Sequence, residues 1–453
     1  MRHLSFRYSL VFPHAPFGDG AVLSAAATVW ALLLGIGFLM LGNGLQGILL
    51  GVRASAEGFS ATVTGFIMTG YFGGFLVGSR IALTTIRRVG HLRVFAAASC
   101  FAAIAILIQG LFVDPVTWAV MRVVTGYSMA SAYIVTESWL NDRVDNEHRA
   151  SLLAVYMVVT YMGMASGQLL LNAGQPTQHD LFMLASVLIS FAAIPILFSV
   201  TPQPRQENAE RLSLVELYRV SPLGLVGTFI SGILQGTLSG MGAVYARAIG
   251  LTIAQTSYFM FFLILGAAVL QWPFGKISDR FDRRKVIAGL ALFGALISMA
   301  THIVHQLGPG FLIAFAPVLG AGPYLLYSLL IAYTNDHLRR TQMVAASSAL
   351  ILTFGLGAAF GPPTAGILMD SVGPQGYLWL LAVFQAGIFG FALYRMTRRE
   401  SLPVEAQSSC RGAPALSPPS EEWTRKTAPE QKPVEPDVPL RIAGESDKVT
   451  AKS

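Results

Sequence analysis

Charge is what this sequence has least of. Of its 453 residues only 12% are Asp, Glu, Lys or Arg, about half the ~25% of an average soluble domain. So little solvating surface excludes a chain that folds with water on all sides. There are two cysteines, Cys100 in an apolar run and Cys410 near the C-terminus, which excludes a disulfide framework and a structural zinc site. The sequence holds no HExxH, no Gly-Lys-Ser/Thr phosphate loop and no G-x-S-x-G, so a metalloprotease, an ATPase and a serine hydrolase lack their residues. "HIVH" at 302–305 sets two histidines three apart with no third ligand nearby. No cofactor and no metal are expected, and no catalytic constellation is present. No stretch alternates polar and apolar residues over about ten positions, as the strands of a membrane barrel would. A cleaved signal peptide is not expected either, because residues 1–20 carry Arg2, Arg7, Asp19 and two prolines without an apolar core.

What fills the chain instead is apolar sequence. Hydrophobic residues make up 53%, the mean hydropathy is +0.58, and they come in blocks rather than 3.6-residue stripes. Blocks of about 20 residues match a hydrocarbon core about 30 Å thick. Twelve are legible: 22–50, 61–83, 94–112, 116–139, 150–173, 181–200, 222–246, 254–275, 286–304, 310–333, 342–368 and 376–397. In lipid each must satisfy its own backbone, so helices are expected. The fold class is therefore an all-α polytopic membrane protein. The net charge of +7 does not point to nucleic acid, because the basic residues sit in short connectors. One set of connectors holds Arg87, Arg88, Arg93, Arg143, Arg149, Arg205, Arg211, Arg219, Arg280, Arg283, Arg284, Lys285, Arg339 and Arg340, while the other holds only Arg53 and Arg247. That bias places both termini and the middle connector in the cytoplasm.

Composition divides the chain into an N-terminal segment 1–21, a six-span half 22–200, a linker 201–221, a second six-span half 222–397 and a tail 398–453. The linker, from Leu212 onward, has the pattern of a short amphipathic helix. The tail is rich in Pro, Glu, Lys and Ser and is expected to be disordered. The halves repeat. "IRRVG" at 86–90 aligns with "RRKVI" at 283–287, and Gly78 with Gly275, both at an offset of 197; "ND" at 141–142 recurs at 335–336, and Gly163 and Gly167 recur as Gly357 and Gly361, both at 194. Repeats of this kind set a site near the midplane, between the halves.

The stretch "GKISDRFDRRK" at 275–285 resembles the loop motif of the major facilitator superfamily (MFS) of transporters, with Gly275, Asp279, Arg280, Arg283 and Arg284 in register and Asp282 where the family usually has glycine. The first-half copy at 78–93 has Ala82 at the aspartate position. The resemblance spans about 22–397, and "ESWLNDRVDNEHRASLLAVYMVVTYMGMASGQLLL" is similar to the bacterial YcaD-type subgroup. It implies two pseudo-symmetric six-helix bundles, alternating access, and a gating role for Asp279 with Arg280, Arg283 and Arg284 across the cytoplasmic cleft. Arg122 sits where many proton-coupled exporters of the superfamily carry an arginine in the fourth helix. "GAAFGPPTAG" at 357–366 resembles their antiporter-type Gly-Pro motif, here in the eleventh span instead of the fifth.

Two charges lie inside the fourth span, Arg122 and Glu137. Burying a guanidinium there costs a few kcal/mol or more, so it must meet the bundle interior, water or an acceptor. Glu137 follows about 22 Å down the helix and about 60° around it, and Tyr133 lies about 20° from Arg122. Arg122, Gly126, Tyr133 and Glu137 thus form one polar stripe facing the central cavity. Glu137 is either an interfacial ion pair or a protonatable coupling acid. Cargo contacts are expected from Asn43, Gln46, Tyr133, Tyr156, Gln235 and Tyr327, with Gln46 and Gln235 at related points of "LQG" in the two halves; against this, such groups also make interhelical hydrogen bonds worth about 0.6 kcal/mol. Gln168, Ser239 and Tyr324 add polar and aromatic surface.

The reading is a secondary transporter of the bacterial inner membrane. A neutral, amphipathic or singly charged small molecule is its cargo, protons are the expected coupling ion, and export is favoured over import. The bilayer is its surroundings and a monomer its expected state. An uncoupled facilitator is the alternative within the class, and a transport-inactive receptor or assembly partner the alternative outside it.

Overall fold

The computed structural model describes residues 30–143, 149–198, 213–338 and 340–398. The N-terminal half consists of α1 (Trp30–Ala56), α2 (Ala61–Val89), α3 (His91–Leu111), α4 (Pro115–Arg143), α5 (Arg149–Leu169, extended by a 3-10 turn Leu170–Ala173) and α6 (Asp180–Phe198). A short α7 (Leu214–Val220) follows. The C-terminal half consists of α8 (Pro222–Ala248), α9 (Ile253–Arg280), α10 (Arg283–Gln306), α11 (Pro309–Asn335), α12 (Arg340–Val372) and α13 (Gln375–Arg398).

Among the described residues, eleven helices are long and apolar enough to cross a membrane. The twelfth long helix is α4, whose 29 residues carry Arg122 and Glu137 amid Ser, Thr and Gly. The outer faces are apolar: Phe101, Phe198, Val269, Trp272, Phe311 and Val383 are all exposed. The buried positions hold an unusual share of polar side chains, as a bundle in hydrocarbon permits. This is an all-α polytopic membrane protein.

The helices outrun the apolar blocks that announce them. α1 continues past residue 50 to Ala56 because Arg53 is sealed at its end, donating to the Pro176 carbonyl at 3.1 Å and pairing with Glu57 at 2.6 Å. Residues 22–29, expected to open this span, lie outside the described residues. α2 likewise runs six residues past its apolar block to Val89. The linker helix forms where the amphipathic pattern falls. Ser213 accepts from the Glu216 N–H while the Glu216 carboxylate accepts from the Ser213 N–H, a capping box that fixes the start of α7. The tail from 399 onward lies outside the described residues.

Within each half the same crossings recur. α2 packs on α4 and α9 on α11; α1 packs on α5 and α8 on α12. The repeated glycine pairs make the second crossing. A Cβ on Gly167 would come within 2.3 Å of the Leu41 carbonyl, and one on Gly361 within 2.4 Å of the Ile233 carbonyl. Small residues let backbones approach where lipid offers no hydrophobic drive, so these glycines set the spacing of both bundles.

The halves meet through α2 with α12, α5 with α9 and α1 with α8. Five hydrogen bonds gather at the end where α1 and α12 terminate. Asp370 of α12 accepts from the Ala61 and Thr62 N–H groups at 3.0 and 2.8 Å, placing a carboxylate of one half on the open N-terminus of a helix in the other. Thr69 donates to the Ala359 carbonyl at 2.9 Å, Asn172 donates to Ser257 Oγ at 2.9 Å, and Ser257 donates to the Gln168 carbonyl at 2.8 Å.

Candidate functional site: a cavity between the halves

The site is built from α4 outward. Asp114 accepts from the Thr117 N–H at 2.8 Å and opens the helix. Trp118 then pins the turn to α3, its indole N–H shared between the Gln109 and Phe112 carbonyls at 3.0 and 2.9 Å. One turn on comes Arg122. Opposite it, α2 and α4 are held nearly backbone to backbone. A Cβ on Gly74 would stand 1.9 Å from the Val123 carbonyl, and one on Gly126 would stand 1.9 Å from the Tyr71 carbonyl. This close approach slides the Tyr71 ring under the guanidinium, whose carbon lies 4.6 Å from the ring centroid. Arg122 is only 6% exposed, and its Nε is enclosed without an acceptor.

Arg122 and Tyr71 form part of the wall of a cavity of about 80 Å³, several times the ~10–15 Å³ that one water needs. Both halves line it. Asn43, Tyr71, Phe72, Phe75, Arg122, Tyr133, Met164 and Gln168 face Gln235, Ser239, Met260, Leu263, Ile264, Tyr324 and Phe354. Among these residues Arg122 is the one formal charge.

Of the residues expected to touch cargo, Asn43, Tyr133 and Gln235 are on the wall. Gln235 is steadied by donating to the Pro323 carbonyl at 3.2 Å, and the Tyr133 hydroxyl donates to Met40 Sδ at 2.9 Å. Gln46 belongs elsewhere. It is fully buried inside the N-terminal half, donating to Gln109 Oε1 at 2.8 Å and to Thr125 Oγ1 at 3.3 Å. Its amide ties α1 to α3 and α4, so the match of the two "LQG" triplets does not extend to the cavity. Tyr156 is fully buried and off the wall, and Tyr327 packs behind Phe354 at 4.5 Å between ring centroids.

The stripe along α4 divides in two. Arg122 and Tyr133 face the cavity, while Glu137 lies one turn beyond Tyr133, 5% exposed and off the wall.

Among the described residues, the contacts of the loop motif lie within the C-terminal half. Arg283 is 1% exposed and donates to Ser278 Oγ at 3.1 Å, pairs with Asp279 at 3.2 Å and makes a short ion pair with Asp336 at the end of α11. Asp282 caps α10 through the Arg284 N–H at 3.0 Å and pairs with the Arg284 side chain at 3.4 Å. Arg280 is exposed. These contacts bind α9, α10 and α11 within the C-terminal half.

A sequence profile described as Major Facilitator Superfamily matches residues 32–223 and 224–436. The chain belongs to the major facilitator superfamily. It is 28% identical over 381 residues to the uncharacterized MFS-type transporter YcaD of Escherichia fergusonii, covering 83% of this chain and 97% of that one. YcaD of Escherichia coli K12 is also 28% identical, over 378 residues. Among solved structures, a variant of the nucleoside transporter NupG superposes with a TM-score of 0.70 at 10% identity, over 81% of this chain and 99% of that one. A bacterial homologue of the human lysosomal transporter Spinster, inward-facing and occupied, gives 0.67 at 15% identity over 84% and 98%. The chain is thus a multi-pass membrane transporter of the MFS type.

The MFS wall also holds residues that the sequence did not single out. Tyr71, Phe72 and Phe75 carry no motif, and Tyr71 lies 51 positions from Arg122. The available signal is indirect: "GYFGG" at 70–74 puts glycines on either side of an aromatic pair, which marks a helix face made for close contact.

Proposed function

We propose that this protein is a secondary active transporter of a small organic molecule, working by alternating access around the cavity that holds Arg122. One observation carries the reading: a polar and aromatic cavity is lined by both halves, and among the described residues five hydrogen bonds join the halves at one end. Energy comes from a gradient, with protons as the coupling ion and Glu137 as the group that takes them up. The acid suits that role because it is nearly buried on the helix that bears Arg122. The bacterial relatives support a place in the inner membrane, and the arginine bias of the connectors supports cytoplasmic termini. The end held by Asp370 is then periplasmic. Export remains the favoured direction, on the likeness of Arg122 to the arginine of proton-coupled exporters.

The test needs no cargo. One pair of spin labels on Val63 and Ile367 and another on Leu83 and Ser348 report the two ends of the α2–α12 contact in proteoliposomes. Acidification should change the two distances in opposite directions, and Glu137→Gln should abolish the response. If neither distance moves with pH or with any added solute, the transport-inactive alternative takes over.

A further inference from the structure

We infer that the cargo is an organic monoanion: a carboxylate, or an acid group of equal charge, on an aromatic or apolar body. This rests on reading the cavity as the transport site. A guanidinium offers five N–H donors in a planar fork that fits the paired oxygens of a carboxylate. Here the fork has the Tyr71 ring on one face, at 4.6 Å, and Nε is buried without an acceptor. A ring face holds a cation in place without occupying its donors. Among the described residues, no ion pair involves Arg122 and no acidic side chain lines the cavity. The wall therefore presents one positive charge that is desolvated, oriented and uncompensated.

That arrangement sorts ligands by charge. A cation meets Arg122 with no acid to hold it. A dianion finds a single positive group where it needs two. A neutral molecule leaves the fork on weak acceptors, whereas a monoanion fills it with charge-assisted bonds in a low-dielectric setting. The remaining wall fixes the body of the ligand, since Phe72, Phe75 and Phe354 surround the space with rings. Gln235 and Ser239 reach it from the opposite half. The anion thus contacts both bundles at once, as a cargo that times their movement must.

The experiment compares four small molecules with one ring: phenylacetate, phenylacetamide, phenethylammonium and phenylmalonate. Binding to the purified full-length chain is read by thermal shift and by calorimetry. Phenylacetate should raise the melting temperature and the other three should not. Arg122→Gln should weaken phenylacetate about 10- to 100-fold, the range for losing hydrogen bonds to a charged group, and Arg122→Lys should restore part of it. Gln235→Glu keeps Arg122 but supplies an acid from the facing half, so it should weaken phenylacetate about 10-fold or more through charge neutralisation alone. Equal binding of the amide or the ammonium, an unchanged phenylacetate affinity in Arg122→Gln or Gln235→Glu, or no binding of any probe overturns the assignment. The label distances keep the two readings apart: if they still respond to acid, the cavity remains a transport site for another class of cargo.

Discussion

The two halves of this chain are one fold built twice, and they bury charge in opposite ways. Where the C-terminal half has Arg283 and Asp279, the N-terminal half, 197 positions earlier, has Ile86 and Ala82. Both sites are dry: Arg283 is 1% exposed and Ile86 2%. At these two positions one bundle has an ion pair and the other hydrocarbon. Along α4 the contrast reverses. Arg122 and Glu137 correspond, 194 positions on, to Ala316 and Ile331. The scaffold tolerates either solution at either place, so the charges that remain are not needed for the fold as such. Other features are shared. Arg53 and Arg247, also 194 apart, each end the first helix of a half by donating to a backbone carbonyl, Pro176 in one and Leu251 in the other.

The sharpest way to break the comparison is to leave one half with an incomplete network. Asp336→Ala removes the buried partner of Arg283 and should destabilise the protein by about 3–5 kcal/mol, the usual consequence of stranding a buried charge. Replacing the network with apolar groups, Arg283→Ile, Asp279→Ala and Asp336→Leu together, should return to within about 1 kcal/mol of the parent, because well-packed apolar groups commonly replace a buried ion pair without loss. Denaturation of purified protein measures both. A triple variant as unstable as the single one would mean that the network does something hydrocarbon cannot.

The shared features can be tested in parallel. Gly126 and Gly320 are equivalent, and a Cβ would stand 1.9 Å from the Tyr71 carbonyl in one case and 2.1 Å from the Leu263 carbonyl in the other. Gly126→Ala and Gly320→Ala should each cost about 1–3 kcal/mol from overpacking. Gly73→Ala, with nothing within 4 Å, should be neutral or stabilising by up to about 1 kcal/mol. Gly126→Ala should also weaken ligand binding more than Gly320→Ala, since it moves Tyr71 from beneath Arg122, whereas Gly320→Ala presses only on apolar Leu263 of the wall. Equal loss of binding in both glycine variants would detach that geometry from the site.

These residues show what can be read from sequence and what cannot. Span positions were legible because hydrocarbon demands apolar length, and the repeat was legible because glycine at a crossing has no substitute. Arg122 stood out for the same reason, a charge where charge is costly. Tyr71 did not, because its role comes from a helix crossing that joins positions 51 apart. Gln46 misled, because a polar residue inside a span reads alike whether it meets cargo or, as here, another glutamine. The loop motif named its members correctly, but Arg283 finds its deepest partner, Asp336, 53 positions away.

A smaller effect separates the two ends of the molecule. Asp370→Asn takes the charge from the N-terminus of α2, where it favours the joined state by about 0.3–1 kcal/mol for an exposed site. The ratio of joined to separated molecules should fall about 2- to 5-fold, seen in the Val63–Ile367 label distances. An unchanged population would leave the other contacts of that end as its latch.

The smallest effect returns to the halves. α4 opens on Asp114–Pro115 and α11 on Gly308–Pro309, again 194 apart. Asp114 caps its helix, and the Thr117 N–H holds its carboxyl below the usual carboxylate range. Gly308, at a φ of 122° that favours glycine, offers no side-chain cap. A depressed value means that the Asp114 contribution is complete above the unfolded value of about 3.9 and disappears as the pH falls through the lower folded value. As the pH falls below about 3.9, therefore, hydrogen exchange at Thr117, corrected for its intrinsic rate, should accelerate, while exchange at Leu312 in the first turn of α11 should not. Asp114→Asn, which caps without titrating, should remove the difference. Acceleration at both helix starts would show that acid loosens this end of the bundle as a whole, and the comparison of the two openings would then say nothing about the cap.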